Sequence, residues 1–157
     1  MKINKIKLLV TTIVLCASVT AVAATQDKIS GGPSVNIPVT QLKYFDTGIG
    51  KNSGVGTLQA AAAYGDLQHG AHGTFIKMPA GFVSAVHSHT GEYWGVVISG
   101  VVVNGAPGSA DVPLPVGSYW SQKGGELHVT KCISPNECIV FINQTVKFDE
   151  IEESKKH

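Results

Sequence analysis

Short apolar segments alternate with Gly, Pro and Asn along most of the chain, from about residue 55 to residue 146. Segments of this length, bounded by turn residues, are typical of antiparallel β-strands. The predicted strands cover residues 55–61, 73–78, 82–87, 93–99, 101–103, 118–121, 127–133 and 138–146. The alanines at 60–63 favour a helical turn by propensity, but their run is short and Gly65 follows closely, so we predict strand or loop there. The regular spacing predicts an all-β sandwich or barrel in a single domain.

Residues 94–99 are apolar on both faces of the predicted strand. Such a strand needs cover on both sides, either from a second sheet or from a partner subunit. A homodimer is therefore one expectation from the sequence.

The N-terminal residues have the pattern of a secretory signal peptide. Three lysines precede an apolar run over residues 8–19, and small residues follow at 21–24. The run is shorter than the roughly 20 residues that a membrane-spanning helix needs. We therefore predict a periplasmic or secreted protein with no membrane span. The predicted organisation is a signal peptide at 1–24, a flexible leader at 25–40, a domain at 41–149 and a charged tail at 150–157 that frays.

The charge of the mature chain argues against some classes of partner. Without Lys2, Lys5 and Lys7, nine lysines face eleven acidic residues, and the chain contains no arginine. Nucleic acid is not an expected partner of such a chain. The absence of arginine also removes the usual bidentate clamp for phosphate, so a highly phosphorylated substrate is disfavoured.

Cys132 and Cys138 flank a Ser-Pro-Asn turn. In an oxidising compartment this pattern predicts a disulfide across a hairpin. Two buried free thiols, packed as small apolar groups, are the alternative.

Three histidines form the pattern with the clearest chemical meaning. His87 and His89 are separated by one residue, so in an extended segment they project from the same side. His128, in a second apolar segment, can complete a set of three imidazoles. This set predicts a site for one divalent transition metal, namely Fe, Zn, Mn, Ni or Cu. His69 and His72 lie in a glycine-rich stretch, where a solvated or lid loop is expected, and His157 receives no role.

The spacing of these residues resembles the two motifs of the cupin superfamily. Gly81, His87, His89 and Gly100 match the first motif, and Gly117, Gly125 and His128 match the second. More narrowly, Tyr64-Gly65-Asp66, Gly73-Thr74-Phe75, the run at 95–100 and Gly117-Ser118-Tyr119 look like the DUF4437 family, with similarity to the cupin half of ChrR-type anti-sigma factors. The resemblance implies a double-stranded β-helix of the jelly-roll type with a metal inside the barrel.

The chain departs from the cupin pattern at the fourth ligand. Tyr93 occupies the place of the glutamate, and a carboxylate stands one residue earlier at Glu92. In the second motif, Lys123 replaces the proline and Cys132 the asparagine. Two readings of Tyr93 stay open: an aromatic that fills the barrel, or a catalytic phenol beside the metal. A bulge beside Gly91 is one alternative, which would turn Glu92 inward as the fourth ligand. Ordinary alternation points Glu92 outward whenever Tyr93 points inward, so we predict Glu92 outside the site.

The function expected from these residues is that of an exported metal-binding cupin. A metal-dependent enzyme acting on a small organic molecule is the first expectation, with oxygenase-like chemistry as the first guess. The alternative is a module that binds metal or a small ligand for sensing or storage without turnover.

Overall fold

A computed structural model describes residues 34–153 of the chain. Its contacts separate Met1–Asn36 from Ile37–His157. In the first unit the described residues, 34–36, are exposed and belong to no regular element. The predicted signal peptide and most of the predicted leader lie outside the described residues.

The described part of the second unit, residues 37–153, contains one short 3-10 helix, Val39–Gln41, and ten strands. The strands are β1 Phe45–Asp46, β2 Gln59–Gly65, β3 His72–Met78, β4 His87–Ser88, β5 Tyr93–Ser99, β6 Val102–Gly105, β7 Tyr119–Gln122, β8 Val129–Cys132, β9 Cys138–Gln144 and β10 Ile151–Glu152. No helix among the residues described is long and apolar enough to cross a membrane.

Two layers of antiparallel strands enclose the core. One layer is a six-stranded sheet in the order β1-β2-β3-β9-β5-β7, and the other consists of the pairs β4-β10 and β6-β8. An isolated bridge between His87 and His128 links the two pairs. Buried side chains from both layers, such as Val140 from the sheet and Val102 from β6, meet in one cluster. The all-β prediction is confirmed.

Strict alternation along β9 explains how the sheet buries one face. Cys138, Val140, Ile142 and Gln144 are buried, and each residue between them is less buried. Because successive side chains of a strand point to opposite faces, this pattern places every second residue in the interior. The last of the four is polar, so the inward face changes from apolar to polar along the strand.

Two of the motif glycines form the turns that precede the site. Gly81 and Gly117 have φ of 74° and 86°, a region that glycine occupies without steric cost. In each turn the residue after the glycine donates its N–H to the carbonyl of a proline three residues earlier, Phe82 to Pro79 and Ser118 to Pro115. Both are β-turns with positive φ at the third position, which requires glycine or asparagine.

Two predicted strands need correction. The strand expected at 55–61 begins later, at Gln59, and includes all four alanines as strand. Of the strand expected at 82–87, only His87 lies in β4. The reason is that the Ser84 hydroxyl accepts the Thr130 N–H at 2.9 Å, which places a side chain where a regular ladder would have a carbonyl.

The charged tail was expected to fray from residue 150, and this is wrong for its first residues. Ile151 and Glu152 form β10 and pair with Ser88 and His87 of β4. The Glu153 N–H then donates to the carbonyl of Val86. Residues 154–157 lie outside the described part of the chain.

A disulfide joins Cys132 at the end of β8 to Cys138 at the start of β9. Of the two alternatives that the sequence leaves open, the bridge is therefore the one formed. Both cysteines are buried in the core cluster, and they connect the two layers covalently.

Candidate metal centre

The three predicted histidines meet inside the barrel. One ring nitrogen from each of His87, His89 and His128 lies within 4.8 Å of the others, and all three side chains are buried. Alternation along the extended segment places His87 and His89 on one side. His87 and His128 exchange two backbone hydrogen bonds, of 3.1 Å and 2.8 Å, which bring the third imidazole beside the first.

Backbone carbonyls orient all three rings. The Nδ1 atom of His87 lies 2.9 Å from the carbonyl of Ala85, and the Nδ1 atom of His128 lies 3.2 Å from that of Glu126. His89 bonds through Nδ1 to the carbonyl of Asp149. A carbonyl oxygen only accepts hydrogen bonds, so each neutral ring carries its proton on Nδ1. Each Nε2 therefore keeps its lone pair for a ligand, an arrangement typical of metal-binding histidines.

The charge state of the rings agrees with this role. Burial, followed by the nearby His87, lowers the pKa of His128 to about 4. Burial also lowers the pKa of His89, although its bond to Asp149 opposes the shift. Imidazole must be neutral to bind a metal, so these two rings are in the ligating form at neutral pH. A set of three imidazole nitrogens fits a divalent ion of Fe, Zn, Mn, Ni or Cu.

Tyr93 points into the same interior. Its side chain is 7% exposed, and its hydroxyl lies 3.3 Å from Nε2 of His128 and 3.5 Å from Oδ1 of Asn104. Burial raises the pKa of Tyr93 to about 12. The nearby side chains of Trp120 and Thr130 have a smaller effect, which lowers this pKa. The indole nitrogen of Trp120 has no partner in hydrogen-bond geometry within the described residues. The phenol therefore stays protonated and can donate a hydrogen bond.

Glu92 points away from the histidines, as predicted. Its Oε1 atom lies 2.7 Å from Nζ of Lys123, in a partly exposed ion pair. The residue that replaces the motif proline therefore holds the carboxylate outside the barrel. Of the two candidates for the fourth position, only Tyr93 lies beside the imidazoles.

A polar network that was not predicted from the sequence supports Tyr93. Asn104 accepts from the Thr130 hydroxyl at 2.7 Å and donates to Gln122 at 2.9 Å. Gln122 in turn donates to the carbonyl of Glu126, the same atom that holds the His128 ring. In the sequence, Asn104 precedes Gly105, Pro107 and Gly108 and therefore resembles a turn residue. The polar Gln122 at the end of an apolar strand was the signal that could have revealed it.

The segment at residues 148–153 also lies beside the site, where its strand β10 pairs with β4, and this was not predicted from the sequence. The ring of Phe148 lies 5.1 Å from that of His89, and the Asp149 carboxylate accepts bonds from the N–H and hydroxyl of Thr90. Glu150 is half-buried near His87, and burial raises its pKa. This segment, which we call the C-terminal strap, had been assigned largely to a fraying tail.

His69 and His72 do not share the loop that was expected for them. His69 is exposed in a turn and bonds to Asp66 at 2.8 Å. His72 is fully buried at the start of β3, so the expectation of a solvated loop is wrong for it. Its two ring nitrogens bond to Thr74 at 2.9 Å and to Gln144 at 3.2 Å, which satisfies them without a metal. His157 lies outside the described residues.

A cavity of about 470 Å³ opens beside the histidines. His87, His89 and Tyr93 line it, and more than half of the lining residues are apolar. Cavities of this size and character commonly hold small molecules. A small ligand inside it would therefore lie next to the imidazoles of His87 and His89.

The fold is that of solved cupin structures. The chain matches solved cupin structures, among them an RmlC-like cupin from Ralstonia eutropha at 15% identity and a TM-score of 0.58, over 77% of this chain and 74% of that one. The polyketide cyclase RemF from Streptomyces resistomycificus matches at 13% identity and 0.61, over 78% and 89%. A predicted oxalate decarboxylase from Thermotoga maritima matches at 17% identity and 0.56, over 71% and 99%.

The chain belongs to the DUF4437 family, a domain of unknown function, whose model matches residues 51–152. This confirms the family indicated by the sequence. No curated protein matches the chain. The similar structures share the fold at low identity, so the chemistry must be argued from the site itself.

Proposed function

We propose that the protein is an exported, metal-dependent cupin enzyme that acts on a small organic molecule, with oxygenase-like chemistry as the first candidate. The observation that carries the proposal is that each of the three imidazoles contacts a backbone carbonyl through Nδ1. With the proton on Nδ1, each Nε2 has its lone pair available for a ligand, and His87 and His89 line the apolar cavity. Each of the three neighbouring rings is held through Nδ1 by a separate carbonyl. This arrangement favours a metal site over a buried group of histidines that is stabilised by hydrogen bonds alone.

A divalent ion bound by His87, His89 and His128 would supply a Lewis acid with open positions for substrate or oxygen. The chain's own residues have separate tasks. Tyr93, protonated because its pKa is about 12, donates a hydrogen bond to an oxygen of the bound molecule. Asn104 and Gln122 fix the position of that hydroxyl relative to His128. The apolar lining excludes water from the bound molecule.

A binding module without turnover is the second candidate. The observation that favours it is the burial of Tyr93, which raises the pKa of its phenol to about 12, because a phenol that stays protonated is a poor base at neutral pH. In that case the three histidines and Tyr93 hold a metal and its ligand for sensing or storage.

Metal analysis and oxygen uptake test the proposal together. Protein recovered from its native compartment is expected to contain about one transition ion per chain and to consume oxygen with one member of a panel of small carbonyl and phenolic compounds. Tyr93→Phe is expected to retain the ion and to lose most of the turnover. An ion without turnover on any compound would favour the binding module, and protein that takes up no ion would reject both.

We also propose export and a homodimer. The N-terminal pattern of lysines, apolar residues and small residues supports export, and N-terminal sequencing of the periplasmic protein would test it. The outward side chains of β5 support the dimer, because Val96 and Ile98 stay partly exposed on the outer face of the sheet. Sedimentation of the wild type and of Ile98→Lys would show whether that face is an interface.

A further inference from the structure

A groove of about 790 Å³ adjoins the cavity beside the histidines. It is lined by the loop at residues 47–53, by residues 82–85 and by Glu150 and Glu152. Several of these residues line the cavity as well, namely Thr47, Ile49, Phe82, Ser84 and Glu150. None of the three histidines lines the groove. A chain segment in the groove would therefore cover one side of the cavity without displacing a candidate metal ligand.

The backbone of residues 82–85 has an open edge. The Ser84 N–H donates to the carbonyl of Thr130 at 2.9 Å, which fixes one side of the segment to β8. Within the described part of the chain, the N–H groups of Val83 and Ala85 donate no hydrogen bond, and both residues are exposed. Because successive N–H groups of an extended chain point in opposite directions, these two face away from β8. An open edge of this kind is a template for a further strand.

The pairing between β10 and β4 leads toward this edge. The two residues of β10 lie opposite Ser88 and His87, and the Glu153 N–H then donates to the carbonyl of Val86 at 2.8 Å. The chain is therefore still bonded to its neighbour where the described residues end. Because the strands are antiparallel, each further residue moves one position back along the neighbour, toward residues 83–85.

The next residues in the sequence suit this edge in length. They are Ser-Lys-Lys-His at 154–157. An extended chain advances about 3.3 Å per residue, so three residues cover the roughly 10 Å of chain from Val86 to Val83. Residues 154–157 are thus long enough to lie beside both unbonded N–H groups.

The charges of the groove suit these residues as well. Its ionisable side chains are Glu150, Glu152 and Lys51, an excess of negative charge, whereas residues 154–157 contain two lysines. The divalent ion of the proposed function would bind at the histidines and not in the groove itself. Attraction between exposed charges is weak, so the backbone pairing is the main interaction and the charges add to it.

We propose that residues 154–157, which we call the closing segment, extend β10 along residues 83–85 and occupy the groove. The N–H groups of Val83 and Ala85 donate to carbonyls of the closing segment, and its lysines lie on the negatively charged groove. The protein in this way covers one side of its own cavity. For the metal site of the function proposed above, the consequence is a slower exchange of the ion with the solution.

Hydrogen exchange of single backbone amides, measured by NMR spectroscopy on the metal-free mature protein, tests the proposal. In the full chain, the amides of Val83 and Ala85 are expected to exchange at least tenfold more slowly than in a variant that ends at Glu153. The amides of Ser84 and His87 donate to backbone carbonyls at 2.9 Å and 3.1 Å. They are the internal controls and should exchange equally in both proteins.

A reversal of charge tests the lysines. Lys155→Glu combined with Lys156→Glu is expected to speed exchange at the same two amides about threefold. Lys43→Glu combined with Lys147→Glu changes the net charge equally at two exposed positions outside the groove, and it should leave the exchange unchanged. Equal exchange in the two double variants would overturn the role of the lysines.

Two results would overturn the proposal as a whole. Equal exchange in the full and truncated chains would mean that the closing segment does not cover the edge. Slow exchange that appears only at high protein concentration would assign the edge to a second copy of the chain.

The consequence for the metal site is measured separately, as the rate at which a chelator removes the ion. This rate should be severalfold higher in the variant that ends at Glu153, and equal rates would overturn the covering of the cavity. Protein that takes up no ion would reject the proposed function, and the exchange result would still decide where the closing segment lies.

Discussion

In the six-stranded sheet, β3 pairs with β9 over seven consecutive residues without a break, whereas β4, which carries His87, pairs with β10 over only two. In a regular ladder, the backbone N–H and C=O groups are used by neighbouring strands. The carbonyls of Ala85, Glu126 and Asp149, which hold the three rings, all lie outside strands. The irregular layer therefore has what the regular sheet lacks, namely carbonyls that are available to orient ligands.

The largest effect should come from removing a ligand from the irregular layer. His128→Ala is expected to abolish binding of the ion, because two imidazoles remain from a set of three. At about 100 times its dissociation constant, the metal should stabilise the wild type by roughly 2.7 kcal/mol and the variant not at all. Thermal unfolding with and without a chelator would measure this. His72→Gln is the control, since His72 is buried outside the cluster, and equal metal content in both variants would contradict the site.

Truncation of a core side chain in the regular sheet should have the opposite effect. It should lower the stability of the fold and leave metal binding unchanged. Val97 is buried in the core and does not line the cavity. Val97→Ala removes two methyl groups and is expected to lower the free energy of unfolding by roughly 2 kcal/mol, as measured by urea denaturation. Metal content per folded chain should not change. Loss of metal in this variant would mean that the two layers are not separable in this way.

The strap should have a smaller effect, confined to the site. Asp149→Ala removes the carboxylate that fixes the strap to Thr90, while the carbonyl that holds His89 remains in the backbone. Because partners behind a ligand typically change metal affinity by 10–100-fold, we expect a weakening of about tenfold. Competition with a chromophoric chelator would measure it. Lys147→Ala, just before the strap, should have no effect. An unaltered affinity in Asp149→Ala would show that the strap does not position the ring.

The smallest predicted effect is the loss of folding stability of the metal-free protein in acid. In the folded protein, burial lowers the pKa of His89 and lowers that of His128 to about 4. In the unfolded chain the pKa of each histidine is about 6.5. The unfolded state therefore binds protons first as the pH falls. Stability should be fully present above about 6.5 and decline from there towards about 4. Urea denaturation across this range would measure the decline, and His128→Gln should make it shallower. An equal decline in the variant would assign it to other groups.

The contrast between the layers also explains what could be predicted from the sequence. β5 was predicted with its observed bounds, because a regular strand follows alternation and its own turn residues. The three histidines were predicted because two share a strand-like spacing and a motif supplies the third. Glu92 was placed outside correctly, again by alternation.

The rest depended on contacts between distant parts of the chain. The bond from His89 to Asp149 spans 60 residues, and no local pattern marks a backbone carbonyl as a partner of a ring. The strap has charged residues that resemble a solvated tail, and only its pairing with β4 distinguishes it from one. The role of Asn104 was hidden for the same reason, because its partner Gln122 is 18 residues away.

The position of the strap in the chain has a consequence for how the ion is acquired. Residues 148–153 follow the other nine strands in chain order, yet one of their carbonyls holds a ligand ring. Because a chain is synthesised from its N-terminus, its three histidines are made before the strap. At that stage the ring of His89 does not yet have the carbonyl of Asp149 as its partner. We therefore expect stable capture of the ion to be a late event, after the strap has joined β4. If the protein is exported as proposed, the choice of metal is then made by the ions present where the chain completes folding, and not by those present where it is synthesised.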